Sequence, residues 1–284
     1  MAEIVISAYF NKGGYMKYCF TYQKHNLKLM KQADEILINY QPQDTTFEDF
    51  LELYKEKRII VNISSYYLTQ EEIEKLNAFY IKYNNFVLRL EKYEKEKIDL
   101  LKMPFFLTTL VDDWDTFHWL LSIGVSDIYI VNILGFYIKE CSKLAHEKNI
   151  KIRVFPNIAQ HHCHFKTSSI TDFFIRPDDL DLYEHYIDIF EFTCYNKEQE
   201  EALWKIYKDK TWFGKLNEII IGLDSEIDNR AILEIFGEKR LDCKKQCFYL
   251  ENCSLCKIIE DLSKTMTEKN YYIEKEKKEN GIKR

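Results

Sequence analysis

Short apolar runs and amphipathic segments alternate along this chain of 284 residues, and the alternation restricts the fold more than any other feature. Most of the apolar runs are continuous, which is typical of parallel strands that are covered on both faces. We predict eight strands, at residues 3–8, 35–40, 58–63, 86–90, 104–109, 127–131, 151–155 and 187–191.

The segments between the predicted strands carry signals of helix ends. Thr69 precedes two glutamates and an apolar periodic run, which is typical of a helix N-terminus. Asp112 and Asp113 precede a second such run, and Gly124 would end that helix. Strands that are each followed by a helix predict a protein of the α/β class, a (β/α)8 TIM-like barrel. No G-x-G-x-x-G turn follows the first strand, so a nucleotide-binding sheet has no support.

Four cysteines are concentrated in a short segment that follows the predicted barrel. Cys243, Cys247, Cys253 and Cys256 have the spacing C-x3-C-x5-C-x2-C. Four thiolates can complete a tetrahedral zinc site or hold a [4Fe–4S] cluster. Structural zinc usually uses two short pairs that a longer loop separates, so the compact spacing favours the cluster and leaves Zn²⁺ as the alternative.

A histidine-rich loop after the seventh predicted strand is a second candidate site. It contains His161, His162, Cys163 and His164. Ligands in TIM-like barrels bind at the C-terminal ends of the strands, which is where this loop would lie. Adjacent residues of an extended loop point in different directions, so these four cannot all bind one metal. A polar loop with one or two packed histidines remains the alternative.

Polar side chains just beyond the strand ends would converge on the same mouth of a barrel. The candidate catalytic residues are Asn157, Gln160, His162 and Glu191. Carboxylates and imidazoles at such a position can act as general acids or bases. Asp112 and Asp113 could be of this kind, or could simply cap the following helix. Further polar residues near predicted strand ends are Asn39, Asn62, Arg89 and Asn132.

Composition limits the classes of protein to which this chain can belong. The formal net charge is −6, which argues against a large nucleic-acid surface but not against a local basic patch. No apolar run approaches the roughly 18 residues of a membrane span, and the N-terminus has no basic leader region. We therefore expect a cytoplasmic protein without disulfides, whose 8 cysteines are free thiols or metal ligands. The oligomeric state is not predicted.

The chain divides into three predicted parts. Residues 1–210 form the barrel, residues 211–262 form an extension with the four cysteines, and residues 263–284 form a tail rich in Lys and Glu. The tail has few large apolar groups, which is typical of a solvated segment.

The order of the segments resembles that of the collagenase-like peptidase family. The chain is similar to this family in the opening EIVISA followed by QADEILINY, and in PFFLTTLVDDWDTFHWLLSIGVSDIYIVNILGF. KIRVFPN stands where the family has its seventh strand, and Asp178-Asp179-Leu180 is similar to an element that leads to a final strand with a glutamate, here Glu191. The resemblance covers roughly residues 3–210.

The resemblance implies a barrel and an iron–sulfur chemistry. The family includes iron–sulfur proteins for the hydroxylation of ubiquinone, tRNA and rRNA, besides nominal proteases. Its cysteine-rich segment begins with Gly-Arg-Cys and lies between the seventh and eighth strands, whereas this loop contains Cys163 without that motif. The family's ligand positions therefore do not transfer to this chain.

Three hypotheses of function follow. In the first, the chain is an iron–sulfur enzyme that modifies, and on the resemblance hydroxylates, an RNA or a small aromatic substrate. In the second, the cysteines bind a zinc ion that stabilises the extension, and the barrel is a binding or scaffold protein. In the third, the histidine loop serves a metal-assisted hydrolase, although the chain lacks the motif H-E-x-x-H.

Overall fold

The computed structural model describes residues 4–11, 15–21, 35–42, 45–64, 68–159, 173–194, 197–223, 226–232 and 235–243, with residues 261 and 265. Within these ranges it has an α/β fold. The ten strands are β1 (Ile4–Asn11), β2 (Tyr15–Thr21), β3 (Glu35–Asn39), β4 (Arg58–Ile63), β5 (Phe86–Leu90), β6 (Phe105–Leu107), β7 (Leu110–Val111), β8 (Asp127–Ile130), β9 (Lys151–Val154) and β10 (Ile189–Cys194).

The ten strands form one sheet in the order β6-β5-β4-β3-β2-β1-β10-β9-β8-β7. Strands β2 to β6 are parallel to one another, and so are β7 to β10. Strand β1 joins the two parallel runs, because it is antiparallel to both β2 and β10. The eight predicted strands are all present, but β2 and the two-residue β7 are additional, and the antiparallel β1 departs from an all-parallel arrangement.

The sheet is rolled, because side chains of strands that are far apart in its order touch each other. Strands β4 and β8 are six steps apart, which is about 29 Å in a flat sheet at the usual strand spacing. Yet Arg58 on β4 donates to Asp127 on β8 with an Nη2–Oδ2 distance of 2.7 Å. In addition, the Ser126 N–H beside β8 donates to the Phe105 carbonyl of β6 at 2.7 Å.

Nine helices lie among the described residues: α1 (Phe47–Leu53), α2 (Gln70–Tyr83), α3 (Lys95–Ile98), α4 (Trp114–Ile123), α5 (Asn132–Gly135), α6 (Ile138–His146), α7 (Leu180–Tyr183), α8 (Lys197–Lys208) and α9 (Ile235–Leu241). The predicted caps are present. Thr69 accepts a hydrogen bond from the Glu72 N–H at 3.3 Å, and Asp113 accepts one from the Thr116 N–H at 2.8 Å. Gly124 ends α4 with a φ of 72°, a conformation that favours glycine.

The apolar core is continuous from the sheet to the segment that follows α8. Ile59, Ile60 and Val61 of β4 are fully buried, as a strand covered on both faces requires. Leu216 and Ile220, beyond α8, belong to the same group of buried contacting side chains. Among the described residues, no helix has the length and apolar character needed to span a bilayer.

Candidate functional site

Four charged residues form a buried ion cluster inside the rolled sheet, near the N-terminal ends of the parallel strands. This basal cluster consists of Glu35, Arg58, Asp127 and Arg153, which come from β3, β4, β8 and β9. Glu35, Arg58 and Asp127 are each the first residue of their strand. These charges lie on the inner face of their strands. Because burial of an unpaired charge costs a large free energy, each of them needs a partner of opposite charge.

The basal cluster pairs its cations and carboxylates several times. Arg58 donates to Glu35 at 2.7 Å, and Arg153 donates to Glu35 at 3.1 Å and to Asp127 at 3.2 Å. The side chain of Arg153 is 0% exposed, and its guanidinium also lies 4.7 Å from the centre of the Phe106 ring. Two cations therefore neutralise two almost completely buried carboxylates, and the Arg58 side chain, which is 23% exposed, connects the pair to the surface.

The guanidinium groups decide the protonation state of the basal carboxylates. Burial alone would raise the pKa of Glu35 and of Asp127, but Arg58 and Arg153 outweigh it and hold both pKa values below the ordinary range. Burial would likewise lower the pKa of Arg153, but Asp127 and Glu35 hold it well above its usual value. All three side chains are therefore charged at neutral pH.

A second group of polar residues lies further along the sheet, on one strand of the basal cluster and on two others. This mouth cluster consists of Arg89 on β5, Tyr129 on β8 and Glu191 on β10. The Tyr129 hydroxyl donates to Glu191 Oε2 at 2.7 Å, and Arg153 donates to the same oxygen at 3.3 Å. Arg89 Nη1 lies 3.6 Å from Glu191 Oε1, and its guanidinium lies 5.4 Å from the centre of the Tyr129 ring.

The mouth cluster differs from the basal cluster in its open hydrogen-bonding capacity. Glu191 is 0% exposed, and its Oε1 accepts no hydrogen bond from a described residue. The side chain of Arg89 is 15% exposed, so a guanidinium that contacts this carboxylate also reaches the surface. Burial, followed by the Glu191 carboxylate, raises the pKa of Tyr129 well above its ordinary value, so the hydroxyl stays protonated and donates.

A polar row crosses three neighbouring strands beside the mouth cluster. Asn39 on β3 is paired in register with Asn62 on β4, and Asn62 is paired with Arg89 on β5. The Asn62 Nδ2 donates to the Asn39 Oδ1 at 2.9 Å. We call Asn39, Asn62 and Arg89 the polar row; Asn39 and Asn62 were expected near the mouth from their positions at strand ends.

The segment after α8 covers the C-terminal end of β9. Asn157, which lies three residues beyond β9, is buried, and its carbonyl accepts a hydrogen bond from the Ile221 N–H at 2.7 Å. The Ile221 carbonyl in turn accepts from the Ala159 N–H at 2.8 Å. This short parallel bridge places the predicted catalytic residue Asn157 under the predicted extension.

A buried arginine attaches the extension to the segment before β10. Arg176 donates twice to Asp179, at 2.7 and 2.6 Å, and once to Asn229 of the extension, at 3.0 Å. Asn229 also donates to the Trp212 carbonyl at 2.7 Å. Arg176 and Asp179 therefore attach the extension to the segment that precedes α7.

Cys243 is the member of the cysteine quartet that lies among the described residues. It follows α9, is partly buried against the core, is not in a disulfide, and donates its N–H to the Arg240 carbonyl at 3.1 Å. Its neighbour Asp242 accepts from Lys139, which lies in the first turn of α6, at 2.5 Å. In the described part of the chain, no three His, Cys, Asp or Glu side chains are grouped to hold a metal ion.

Several predicted site residues fall outside the described residues, and their predictions stand untested. These residues are Gln160, His161, His162, Cys163, His164, Cys247, Cys253 and Cys256. Asn157, Glu191 and Cys243 are described, and the first two lie at the mouth end of β9 and within β10.

Sequence reasoning missed the interior charges. Glu35, Arg58 and Asp127 each begin a strand, and Arg153 lies within one; these strands were recognised by their continuous apolar residues. Successive side chains of a strand point to opposite faces of the sheet. In KIRVF, Arg153 therefore lies on the face opposite to that of its apolar neighbours Ile152 and Val154, and a charge at such a position is the signal that could have indicated a polar interior.

A shallow cavity of about 410 Å³ opens at the opposite end of the sheet. Its lining includes Lys55, Lys57, Arg58 and Asn85, which precede or begin β4 and β5. The Arg58 guanidinium is already paired with Glu35 and Asp127, so the cavity abuts the basal cluster and not the mouth.

Comparison with protein-family models, with curated proteins and with solved structures gives no match for this chain. The geometry of the described residues therefore has to support any assignment of function.

Proposed function

We propose that this chain is a barrel metalloenzyme that binds its substrate at the C-terminal ends of the strands. In the proposal, Cys243, Cys247, Cys253 and Cys256 hold a [4Fe–4S] cluster, and the substrate is an RNA or a small aromatic molecule. The resemblance to the collagenase-like peptidase family suggests hydroxylation as the reaction. The observation that carries the proposal is the path of the extension, which is bonded to the segment beyond β9 and to the start of α6 before it reaches Cys243.

The architectural part of the proposal is a closed barrel. The contacts of Arg58 with Asp127 and of Arg153 with Glu35 join opposite parts of the sheet through its interior. The hydrogen bond from Ser126 to Phe105 lies where β6 and β8 approach each other. A TIM-like barrel binds its ligands at the C-terminal ends of the strands, which is the end where Arg89 is partly exposed.

The path of the extension supports a metal site within reach of the mouth. Ile221 pairs with residues that follow β9. Asn229 is bonded to Arg176, and the neighbouring Ile175 donates its N–H to the Pro156 carbonyl just beyond β9. Asp242 is bonded to Lys139 at the start of the helix that follows β8 and α5. All three attachments are to segments near the C-terminal ends of strands, so the chain enters the cysteine segment on the mouth side.

Cys243 fits the role of a metal ligand. It is a thiol outside any disulfide and is partly buried, and it follows the helix α9. Cysteine binds metals through its sulfur, as the thiolate. When bound, a [4Fe–4S] cluster would supply one-electron redox chemistry; zinc would supply stability to the extension.

The residues of the mouth would bind and orient the substrate. Arg89 forms an ion pair with the buried Glu191, and the Tyr129 hydroxyl donates a hydrogen bond of 2.7 Å to Glu191. Glu191 was predicted to be catalytic; its complete burial under Arg89 supports a positioning role in which it sets the direction of the guanidinium. Asn157 would form part of the wall beneath the extension.

The test is a visible spectrum with iron, sulfide and zinc analysis of protein purified without oxygen. We expect a broad band near roughly 400 nm and about four irons and four sulfides per chain. Cys253→Ser should abolish both. The control is Cys141→Ala, because Cys141 is buried in α6 and burial raises the pKa of its thiol to about 12, so it should not bind metal.

A structural zinc site is the second candidate function, and the packing of α9 favours it. A β-carbon on Gly237 would lie 2.4 Å from Asp179 Oδ1, so the helix that precedes Cys243 is tightly fitted against the body of the protein. A colourless protein with one zinc per chain would overturn the iron–sulfur proposal and support this second function, with the barrel as a binding or scaffold protein.

A further inference from the structure

We propose that the polar row is a receptor for an oxyanion, which Arg89 binds while Asn62 and Asn39 contact the polar group beside it. The inference deepens the proposed function and rests on it in one respect, namely that the oxyanion belongs to the substrate. It adds Arg89, Asn62 and Asn39 to the site as specificity-determining residues.

The first argument is the register of the three strands. Asn39, Asn62 and Arg89 are direct neighbours across β3, β4 and β5, so their side chains leave the sheet at one level. The bond from Asn62 Nδ2 to Asn39 Oδ1 orients both amides. It leaves the Asn39 Nδ2 and the Asn62 Oδ1 without a hydrogen-bond partner among the described residues, so one donor and one acceptor can contact a ligand.

The second argument is the way in which Arg89 is held. Its guanidinium lies over the Tyr129 ring at 5.4 Å, and one of its nitrogens lies 3.6 Å from Glu191 Oε1. Glu191 is in turn bonded to Tyr129 and to the fully buried Arg153. An arginine whose position is fixed before binding loses little freedom when it binds, and its planar fork matches a carboxylate or a phosphate.

The charges around Arg89 limit the shape of the ligand. Glu91, two residues beyond Arg89, is exposed, and its carboxylate accepts from Ser64 at 3.4 Å. This acid would repel a second anion, so the ligand should present its oxyanion to Arg89 and a hydroxyl or amine donor towards Glu91 and the Asn62 Oδ1. A sugar phosphate of RNA and an aromatic hydroxy acid both have this pattern.

The experiment is calorimetric titration of the full-length protein, as purified with its metal, with inorganic phosphate and separately with benzoate. Binding of phosphate would identify a phosphate source, and binding of benzoate would identify a carboxylate source; either result supports the receptor. Arg89→Met should weaken binding by about tenfold or more. Asn62→Ala should weaken it by roughly two- to tenfold.

Two further variants make the result specific. Arg89→Lys keeps the charge and the ion pair but loses the fork, and it should fold and bind more weakly than the wild type. Lys57→Ala removes a cation from the cavity at the opposite end and should leave binding unchanged. Far-ultraviolet circular dichroism of each variant would show that it is folded.

The inference is overturned if neither phosphate nor benzoate binds the wild-type protein. It is equally overturned if Arg89→Lys and Asn62→Ala bind as tightly as the wild type, or if Lys57→Ala abolishes binding. Anion binding and metal content are separate measurements. A protein that binds phosphate but contains no iron would therefore refute the proposed cluster and leave the receptor standing.

Discussion

The two ends of the rolled sheet use the same kinds of side chain for different purposes. At the basal end, Arg58 and Arg153 are paired with the buried carboxylates of Glu35 and Asp127, although the Arg58 side chain is itself 23% exposed. At the mouth, Arg89 is partly exposed and Glu191 retains an oxygen with no hydrogen bond from a described residue.

The difference shows that one cluster of charged side chains can stabilise the fold while another, at the other end of the sheet, can bind a ligand. A neutral, fully paired cluster fixes the strands to one another but has nothing to offer a ligand. In the mouth cluster, Glu191 keeps an oxygen that accepts no hydrogen bond from a described residue, and Arg89 reaches the surface, where a ligand can contact it. Arg153 connects the two, because it contacts carboxylates of both clusters.

The largest expected effect is that of Arg153→Met. The substitution leaves Glu35, Asp127 and Glu191 buried with one cationic partner fewer each, so we expect a loss of about 3 kcal/mol or more in the free energy of unfolding. Urea denaturation would measure it. As a control, Lys55→Met removes one partner of an ion pair with Glu52 in which the two side chains are 61% and 59% exposed, and it should change stability by less than about 0.5 kcal/mol. Equal losses in the two variants would contradict a special role for the basal cluster.

Acid should destabilise the protein through the basal carboxylates. Their pKa values are lower in the folded protein than the ordinary values of 4.5 for Glu35 and 3.8 for Asp127. The stabilisation is therefore complete above the unfolded-state pKa values and is lost as the pH falls below them, by an amount on the order of 2 kcal/mol. Urea unfolding from about pH 6 to about pH 2.5 would measure the slope. Asp127→Asn should reduce the slope of the unfolding free energy against pH. An unchanged slope would mean that other groups cause the acid sensitivity.

Tyr129→Phe should have a smaller effect. It removes one donor to Glu191 Oε2 and leaves the aromatic ring against Arg89 and Phe155. We expect a loss of about 1–2 kcal/mol in stability, because Arg153 still donates to the same oxygen. Thermal unfolding would measure this loss, and phosphate titration would show weaker binding if Glu191 no longer holds Arg89 in place. A destabilisation as large as that of Arg153→Met would mean that the mouth cluster contributes as much to stability as the basal cluster does, which would contradict the distinction between them.

The smallest effect on stability should come from Asn62→Ala. Asn62 makes its side-chain hydrogen bond to the exposed Asn39, so its loss should cost less than about 0.5 kcal/mol. Urea denaturation beside anion titration would show whether binding changes without stability. We expect weaker anion binding with little change in the free energy of unfolding. A loss of stability with unchanged anion binding would mean that Asn62 supports the fold and does not contact the ligand.

The sequence predicted the strands of this fold better than their pairing. Continuous apolar runs such as those of β4 and β5 are unambiguous, and helix caps such as Thr69 and Asp113 are local signals. Strand β2, with the sequence YMKYCFT, mixes aromatic and polar residues and was not recognised, although it follows the turn pair Gly13-Gly14. Its omission explains why an antiparallel β1 was not expected.

The polar residues near strand ends were predicted from position alone, but their partners were not. Asn62, Arg89, Asn157 and Glu191 were expected near strand ends from position alone. The partnership of Glu191 with Tyr129 and Arg153 could not be read from the sequence, because the register of β8, β9 and β10 brings together residues up to 62 positions apart. A buried ion pair is a property of the rolled sheet, and no local pattern encodes it.

Hydrogen–deuterium exchange with and without saturating phosphate or benzoate tests the difference between the two ends most directly. The account predicts slower exchange in peptides that contain residues 39–42, 62–64 and 89–91, and unchanged exchange in peptides that contain residues 55–58 and 84–86. Slower exchange at residues 55–58 and 84–86, with none at the mouth, would contradict it and would move the ligand site to the basal end.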